Sequence, residues 1–275
     1  ALLYEQEGGL LWSFTGISMR KITNKHLCPD GKIEREIIDL PNKLNYGIAD
    51  LLNQSFLNEY DLPIHHCDPA VYPDYIALNC EPSAYHKTPL TAVAFYTYDR
   101  AFDKIDGLFN AIYYKNKRLL EKYKKQYKDV AFVIAPDYSM FDDIWHFENE
   151  YRLFKVRVII LWFVLVIGAV VIPNATYLSA DKLDMYMSGF ENCTVMCFST
   201  KSHVRYASDR LRIKETVKYV VDHFPLKTIL VYSVCGKDET SLRLFDYAVS
   251  KGIDVRIIDN TMRRQNQRVV KGAIA

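Results

Sequence analysis

The residues best placed for chemistry in this chain of 275 residues are two aspartates, Asp99 and Asp137. Each closely follows an apolar run with the composition of a buried strand. Polar side chains at such positions collect where parallel α/β folds hold their ligands, at the carboxyl ends of the strands. Because hard divalent cations prefer carboxylate oxygens, the pair could share a magnesium ion, or it could act as an acid and a base. The competing interpretation is that both aspartates cap the helices that follow them.

Three further polar residues extend this candidate catalytic set. Ser139 lies just after Asp137, and Asn174 follows the apolar run Val171-Ile172-Pro173. We expect both side chains to orient a ligand at the strand ends. Arg152 is expected to pair with a phosphate, because a guanidinium fork matches phosphate oxygens. The sequence therefore predicts a site for a nucleotide or a nucleic acid.

The protein could instead be a small-molecule enzyme, such as a barrel aldolase or transferase. Such an enzyme needs a buried lysine or a Glu or His base at a strand end. Lys201 and His203, which follow another apolar run, are the only near candidates in the sequence. No recognisable motif surrounds either of them.

A basic segment offers a second place for nucleic acid. Its cationic residues are Lys117, Arg118, Lys122, Lys124 and Lys125, with tyrosines interleaved. A helix face of this composition suits contact with the phosphate backbone and stacking on bases. The alternative is a solvated outer helix. The C-terminal run Arg263–Arg268 has two similar interpretations, a nucleic-acid arm or a frayed terminus.

Several strong signatures are absent from the sequence. Without a Gly-x-Gly-x-x-Gly or a Walker loop, a dinucleotide site or P-loop site is disfavoured. The lack of a Gly-x-Ser-x-Gly elbow argues against an α/β-hydrolase. The run His65-His66-Cys67-Asp68 contains ligand types, but adjacent residues rarely all face one metal.

The composition is that of a soluble globular protein with ample apolar material for a core: 49% hydrophobic, 25% charged, formal net charge +2. This balance excludes intrinsic disorder. Glycine, proline and cysteine are too thinly spread for a collagen-like chain or a disulfide scaffold. Six cysteines, with no Cys-x-x-Cys pair and no secretory signal before them, favour free thiols in a reducing cytoplasm.

The elements that must position the candidate residues alternate along the chain. Apolar runs predict strands at Tyr75–Asn79, Ala92–Thr97, Val130–Ala135, Ala169–Ile172, Thr194–Ser199, Thr228–Ser233 and Asp254–Ile258. Amphipathic spacing predicts helices at about residues 46–58 and over Gly107–Tyr127, Asp209–His223 and Leu242–Val249.

One long apolar run, Val158–Ile172, must be tested against the membrane. It is shorter than the roughly 20 residues of a spanning helix and is bounded by Arg157 and Pro173. Gly168 divides it, so we expect a buried helix that ends near Gly168 and then a buried central strand. No membrane association is predicted.

Strands that alternate with helices predict an α/β fold with a mostly parallel sheet of about seven strands. A doubly wound sheet and an irregular β/α barrel are both open. The predicted organisation is a loose arm or extended start over 1–18, an irregular N-terminal extension over 19–73, an α/β domain over 74–260 and a basic tail over 261–275.

Four short motifs occur in one order: Pro136-Asp137-Tyr138-Ser139, Asn149-x-Tyr151-Arg152, Val171-Ile172-Pro173-Asn174 and Lys227-Thr228-Ile229-Leu230-Val231-Tyr232. Over roughly residues 74 to 260 the chain thereby resembles an uncharacterised bacterial and phage family, number four-four-one-seven in the domain-of-unknown-function series. The resemblance implies a cytoplasmic α/β domain in a phage or mobile-element context, and no established activity. Tyr177 stands where a Trp is usual, and Ser233 stands where a Gly often follows the Val-Tyr strand. If these two positions line a pocket, the ligand or its fit differs here.

Two functions from different classes follow. The first is a phage or mobile-element protein that binds or acts on nucleic acid or nucleotide at the strand ends. The second is a non-enzymatic protein that binds a host or phage partner through N-terminal aromatic residues. Those residues are Tyr46, Tyr60, Tyr72, Tyr75 and Tyr85, which could instead form a folded cap over the sheet. A pocket that holds Asp99, Asp137 and Arg152 together would favour the enzyme.

Overall fold

The computed structural model describes residues 47–272, in which nine strands and ten helices are found. The strands are β1 (His66–Cys67), β2 (Tyr75–Leu78), β3 (Thr91–Ala94), β4 (Phe132–Ile134), β5 (Val170–Ile172), β6 (Asn192–Cys193), β7 (Val195–Ser199), β8 (Thr228–Tyr232) and β9 (Asp254–Ile258). The helices are α1 (Gly47–Leu52), α2 (Asp99–Phe102), α3 (Leu108–Tyr113), α4 (Lys117–Gln126), α5 (His146–Trp162), α6 (Ala180–Met187), α7 (Ala207–His223), α8 (Asp238–Leu242), α9 (Asp246–Ser250) and α10 (Thr261–Gly272).

All the named strands pair in parallel. One sheet has the order β2-β3-β4-β5, a second has the order β7-β8-β9, and β1 pairs with β6. Two isolated parallel bridges, Asn174 with Cys197 and Tyr75 with Asp259, link the edges of the two larger sheets. The predicted α/β class is confirmed. The seven predicted strands are divided into four and three, and within residues 47–272 no continuous seven-stranded ladder forms, so the barrel alternative is not confirmed.

Most residues of the two larger sheets are apolar because these sheets are covered on both faces. Every residue of β2, β3, β7 and β8 is buried. Parallel strands in this environment show continuous apolar runs rather than alternation. At the edge of the second sheet, β9 differs, since Asp254 and Arg256 are exposed along it.

The long apolar run divides at Gly168 into a helix and a strand, as predicted. Helix α5 continues into a π-helical turn, Phe163–Ile167, and Gly168 then takes a left-handed conformation with φ of +77°. The central strand expected after it is wrong: β5 is the last strand in the order β2-β3-β4-β5, and Val170 is exposed while Val171 and Ile172 are buried. In the described part of the chain, no helix is long and apolar enough to cross a membrane.

Some predicted elements differ from the structure. The single helix predicted over Gly107–Tyr127 is wrong: α3 and α4 are separate, because Lys115 has a φ of +50° and the Asn116 side chain accepts from Leu119 N to begin α4. The helix predicted over Leu242–Val249 is likewise two short helices, α8 and α9. Four short elements, β1, β6, α2 and α6, were not predicted.

The chain ends add two findings. The frayed terminus expected at the C-terminal end is wrong for residues 261–272, which form α10. Arg263 of this helix pairs with Asp238 at 2.6 Å, and Arg264 pairs with Asp259. At the other end, α1 packs against α5. The arm expected over 1–18 lies outside the described residues, and the domain boundaries stay predictions.

We predict that Gly168→Ala lowers the free energy of unfolding by about 1 kcal/mol, since an L side chain is strained at this φ while the space around the position is open. Gly272→Ala is the control, because its Cβ would also meet nothing within 4 Å and its φ is not left-handed. Urea denaturation compares the two variants. Equal unfolding free energies would contradict the prediction.

Candidate functional site

A cavity of about 310 Å³ opens at the carboxyl ends of the strands. Its lining residues follow four strands: Tyr96–Tyr98 after β3, Asp137–Phe141 after β4, Thr176 and Tyr177 after β5, and Ser199 with Lys201–His203 at the end of β7. The two larger sheets therefore both contribute to one site. This is the edge at which parallel α/β folds hold their ligands.

Asp137 is the carboxyl group in the wall of this cavity, and its surroundings favour the protonated form. Burial raises its pKa to about 7, and the neighbouring charge of Asp99 adds to the rise. The Asn174 hydrogen bond and the charge of Lys201 act in the opposite direction. Near neutral pH this carboxyl group can therefore either donate or accept a proton.

A chain of hydrogen bonds holds the Asp137 carboxyl in place. Tyr96 Oη donates to Asn174 Oδ1 at 2.7 Å, and Asn174 Nδ2 donates to Asp137 Oδ1 at 2.9 Å. The tyrosine proton fixes the amide with its nitrogen toward the carboxylate. Since Asn174 is buried and occupies one carboxylate oxygen, the other oxygen of Asp137 is left for a ligand.

Asp99 supports the loop after β4 rather than facing the cavity. Its carboxylate accepts from the backbone N–H of Ser139 at 3.2 Å and from Ser139 Oγ at 3.1 Å. The expected capping of its own helix is not made by its side chain, because α2 begins after Tyr98 without a side-chain cap. Among residues 47–272 no group of three or more His, Cys, Asp and Glu side chains could hold a metal ion. Magnesium at Asp99 and Asp137 stays a prediction.

Arg152 holds the same loop from the other side. Its Nη1 donates to Ser139 O at 2.8 Å, and its Nη2 pairs with Glu148 at 3.2 Å. It does not line the cavity. Of the five predicted catalytic residues, Asp137 and Ser139 line the cavity. The other three do not line it: Asn174 contacts Asp137, whereas Asp99 and Arg152 contact Ser139.

Lys201 and His203, which no motif singled out, both line the cavity. Lys201 Nζ donates to Tyr96 O. The His203 ring packs edge-on against Tyr177 with centroids 4.7 Å apart, and burial lowers its pKa. Their position after the predicted strand was the signal that made them candidates, and both lie in the same cavity as Asp137.

The basic helix α4 lies apart from this cavity. All five of its predicted nucleic-acid contacts are exposed, and none lines the cavity. The interleaved Tyr127 is buried and stacks between Tyr85 and Tyr123, so it is not free to stack on a base. Phosphate contact through the five cationic residues stays a prediction.

The N-terminal tyrosines do not form a single exposed patch. Tyr75 and Tyr85 are buried in the core, Tyr72 is half-buried, and Tyr60 is exposed. Tyr46 lies outside the described residues. Tyr75 is the first residue of β2 and so belongs to the sheet itself, and the folded-cap interpretation suits Tyr85.

A comparison with protein families finds one match. The family model described as a domain of unknown function (DUF4417) matches residues 59–247, which contain the whole cavity. No curated protein and no solved structure matches the chain. Of the two positions at which the resemblance implies another residue, Tyr177 lines the cavity, whereas Ser233 is buried and its hydroxyl bonds to that of Ser241.

We predict that the unfolding free energy of the wild type, relative to that of Asp137→Asn, falls as pH rises from about 4 to about 7. The raised pKa means that the folded state keeps a proton that the unfolded state has lost over this range, so stability is lost as pH rises. A difference of one between the folded-state and unfolded-state pKa corresponds to about 1.4 kcal/mol. Urea denaturation across this pH range measures the effect.

The variant is the necessary reference because other groups also titrate. Burial lowers the pKa of His65 to about 4, which changes stability in the opposite sense, and both proteins share it. A difference between the two proteins that does not vary with pH would contradict the prediction.

Proposed function

The chain belongs to the DUF4417 family, a domain of unknown function, and from the geometry of its cavity we propose that it is an enzyme that carries out acid–base chemistry on a nucleotide or nucleic-acid substrate. The observation that carries the proposal is the Asp137 carboxyl, with a pKa of about 7, in the wall of a cavity at the strand ends. A general acid or base is most effective when its pKa lies near the operating pH.

The other polar groups of the cavity suit binding. The Lys201 ammonium is a compact positive charge, which favours a phosphate or another anion. The Ser139 hydroxyl, fixed by Asp99, offers its oxygen as an acceptor. In this scheme Asp99, Asn174 and Arg152 are positioning residues.

The size and rim of the cavity favour a planar ligand. Tyr98 and Phe141 line it and are 76% and 51% exposed. Exposed aromatic faces are surfaces on which nucleobases stack. A volume of about 310 Å³ is at the small end of ligand sites, which suits one nucleotide-sized group.

A divalent cation is the alternative occupant of the Asp137 carboxylate. Mg²⁺ is often held by one or two carboxylates together with substrate phosphates, so the substrate would complete its ligand set. The resemblance also supports the proposal of a cytoplasmic phage or mobile-element setting.

Asp137→Asn should lower kcat at least about 100-fold, since an amide cannot transfer the proton. The limb of the kcat/KM profile near pH 7 should disappear with it. The measurement is product formation, detected by chromatography, from a panel of nucleoside phosphates and short oligonucleotides.

Asp143→Asn is the matched control for that test. Asp143 is exposed in the same loop, and its side chain makes no hydrogen bond or ion pair within residues 47–272. We expect it to keep wild-type turnover. Unchanged turnover in a folded Asp137→Asn variant would overturn the catalytic assignment.

One observation favours the partner-binding alternative. Trp145 and Phe147 are 76% and 63% exposed, and their rings stack 5.9 Å apart. Exposed aromatic residues are typical anchors of protein interfaces. If this surface carries the function, Trp145→Ser with Phe147→Ser should abolish partner capture in a pull-down, whereas Asp137→Asn should retain it. The reverse pattern would exclude this surface.

A further inference from the structure

A second concave surface, a basic groove, lies between α7 and α8. It encloses about 420 Å³ and is lined by Ala207, Arg210, Leu211, Lys214, Thr240, Arg243 and Leu244. Arg210 and Lys214 are one turn apart on α7, and Arg243 faces them from the end of α8. Three cations and no carboxylate line this groove.

The charges of the groove are not neutralised by the protein. Within residues 47–272 the side chains of Lys214 and Arg243 make no ion pair or hydrogen bond. By contrast, Arg212, between the two groove residues of α7, pairs with Asp142 at 2.9 Å and with Glu215 at 3.8 Å. Arg212, outside the groove, therefore has carboxylate partners. Lys214 and Arg243, which line the groove, have none among the described residues and can bind an anion.

The guanidinium of Arg210, which lines the groove, is held in place by two backbone carbonyl groups. Its Nη1 donates to Val204 O at 2.7 Å and to Arg205 O at 3.2 Å. The guanidinium is thereby held against the loop that precedes α7, while its remaining N–H groups can face a ligand. A positioned guanidinium beside two unpaired cations suits a series of phosphates.

The groove and the cavity share one loop. His203 lines the cavity, and Ala207 lines the groove. Four residues span at most about 14 Å when extended, so one short polymer could reach both places. Tyr206, in the same loop, is 58% exposed.

We propose that this groove binds the phosphodiester backbone of a single-stranded nucleic acid whose reacting nucleotide occupies the cavity. The inference rests on the proposed function, since the cavity supplies the reaction. A single strand is favoured over a duplex because Leu211, 57% exposed in the groove, and Tyr206 offer apolar surface to unpaired bases. An acidic peptide would use the cations but not the aromatic ring.

The test is fluorescence anisotropy with labelled single-stranded DNA and RNA oligonucleotides at several salt concentrations. The groove variant is Lys214→Gln with Arg243→Gln, which leaves the Arg210 contacts intact. The matched control is Lys128→Gln with Lys251→Gln, an equal loss of charge at two exposed positions that precede β4 and β9, at the opposite ends of the strands from the cavity.

We expect the groove variant to bind at least about tenfold more weakly and to lower the log–log salt slope by about 1.4, two phosphate contacts at about 0.7 each. The control should keep wild-type affinity and slope. If the control loses as much affinity as the groove variant, or if only the control loses it, the groove is not the binding site.

Competition experiments with the labelled oligonucleotide distinguish a nucleic-acid backbone from other anions as the ligand of the groove. Displacement by unlabelled oligonucleotide, and not by inorganic phosphate or a mononucleotide at the same phosphate concentration, supports the polymer. Equal displacement by inorganic phosphate or by poly-glutamate would overturn it.

Asp137→Asn distinguishes the two proposals. It should bind oligonucleotide as the wild type does while losing turnover. Binding that depends on the groove in a protein whose turnover does not need Asp137 would remove the catalytic proposal alone. Turnover that needs Asp137, with oligonucleotide binding indifferent to the groove, would remove the groove proposal alone.

Discussion

The amide of Asn174 is the interaction on which the site depends. Its backbone lies at the bridge to Cys197 that joins the two larger sheets, and its side chain links Tyr96 to Asp137. An amide carries an acceptor and two donors on one planar group, so a single residue can take a proton from a tyrosine and give one to a carboxylate. A second carboxylate here would repel Asp137, and an aliphatic side chain would remove the hydrogen bond to Asp137 and leave Tyr96 Oη with Cys197 Sγ, 3.1 Å away, as its partner. The same residue therefore connects the sheets and orients the Asp137 carboxyl.

Two neighbouring carboxyl groups cannot both be ionised without cost, and the structure places them in different surroundings. Asp99 accepts from both the N–H and the hydroxyl of Ser139. Asp137 receives one donor, from Asn174, and is strongly desolvated, so its pKa rises. Unequal environments of this kind are how one site assigns separate roles to two carboxyl groups. Here one aspartate holds a loop, and the other is available for proton transfer.

The sequence allowed the position of the site to be predicted, but not the direction of each side chain. Apolar runs locate the strand ends, and with them Asp137 and Ser139. Whether a residue there faces the cavity depends on the backbone of the loops: Ser139 turns its N–H toward Asp99 and its carbonyl toward Arg152, so both are engaged behind the cavity. No periodicity encodes such contacts. The break between α3 and α4 was missed for a related reason, because Lys115 adopts a left-handed φ without the glycine that would signal it.

Tyr177 is the cavity residue at which the resemblance implies a different side chain. Its hydroxyl donates to Ser199 O at 2.7 Å and accepts from Ser199 N at 3.0 Å, which joins the segment after β5 to the end of β7. A tryptophan, expected here from the resemblance, is a donor only and would leave the Ser199 N–H without this partner. The ring against which His203 packs is also smaller than an indole. Tyr177 therefore shapes the wall of the cavity beside His203, while the hydrogen bond between Asn174 and Asp137 does not involve it.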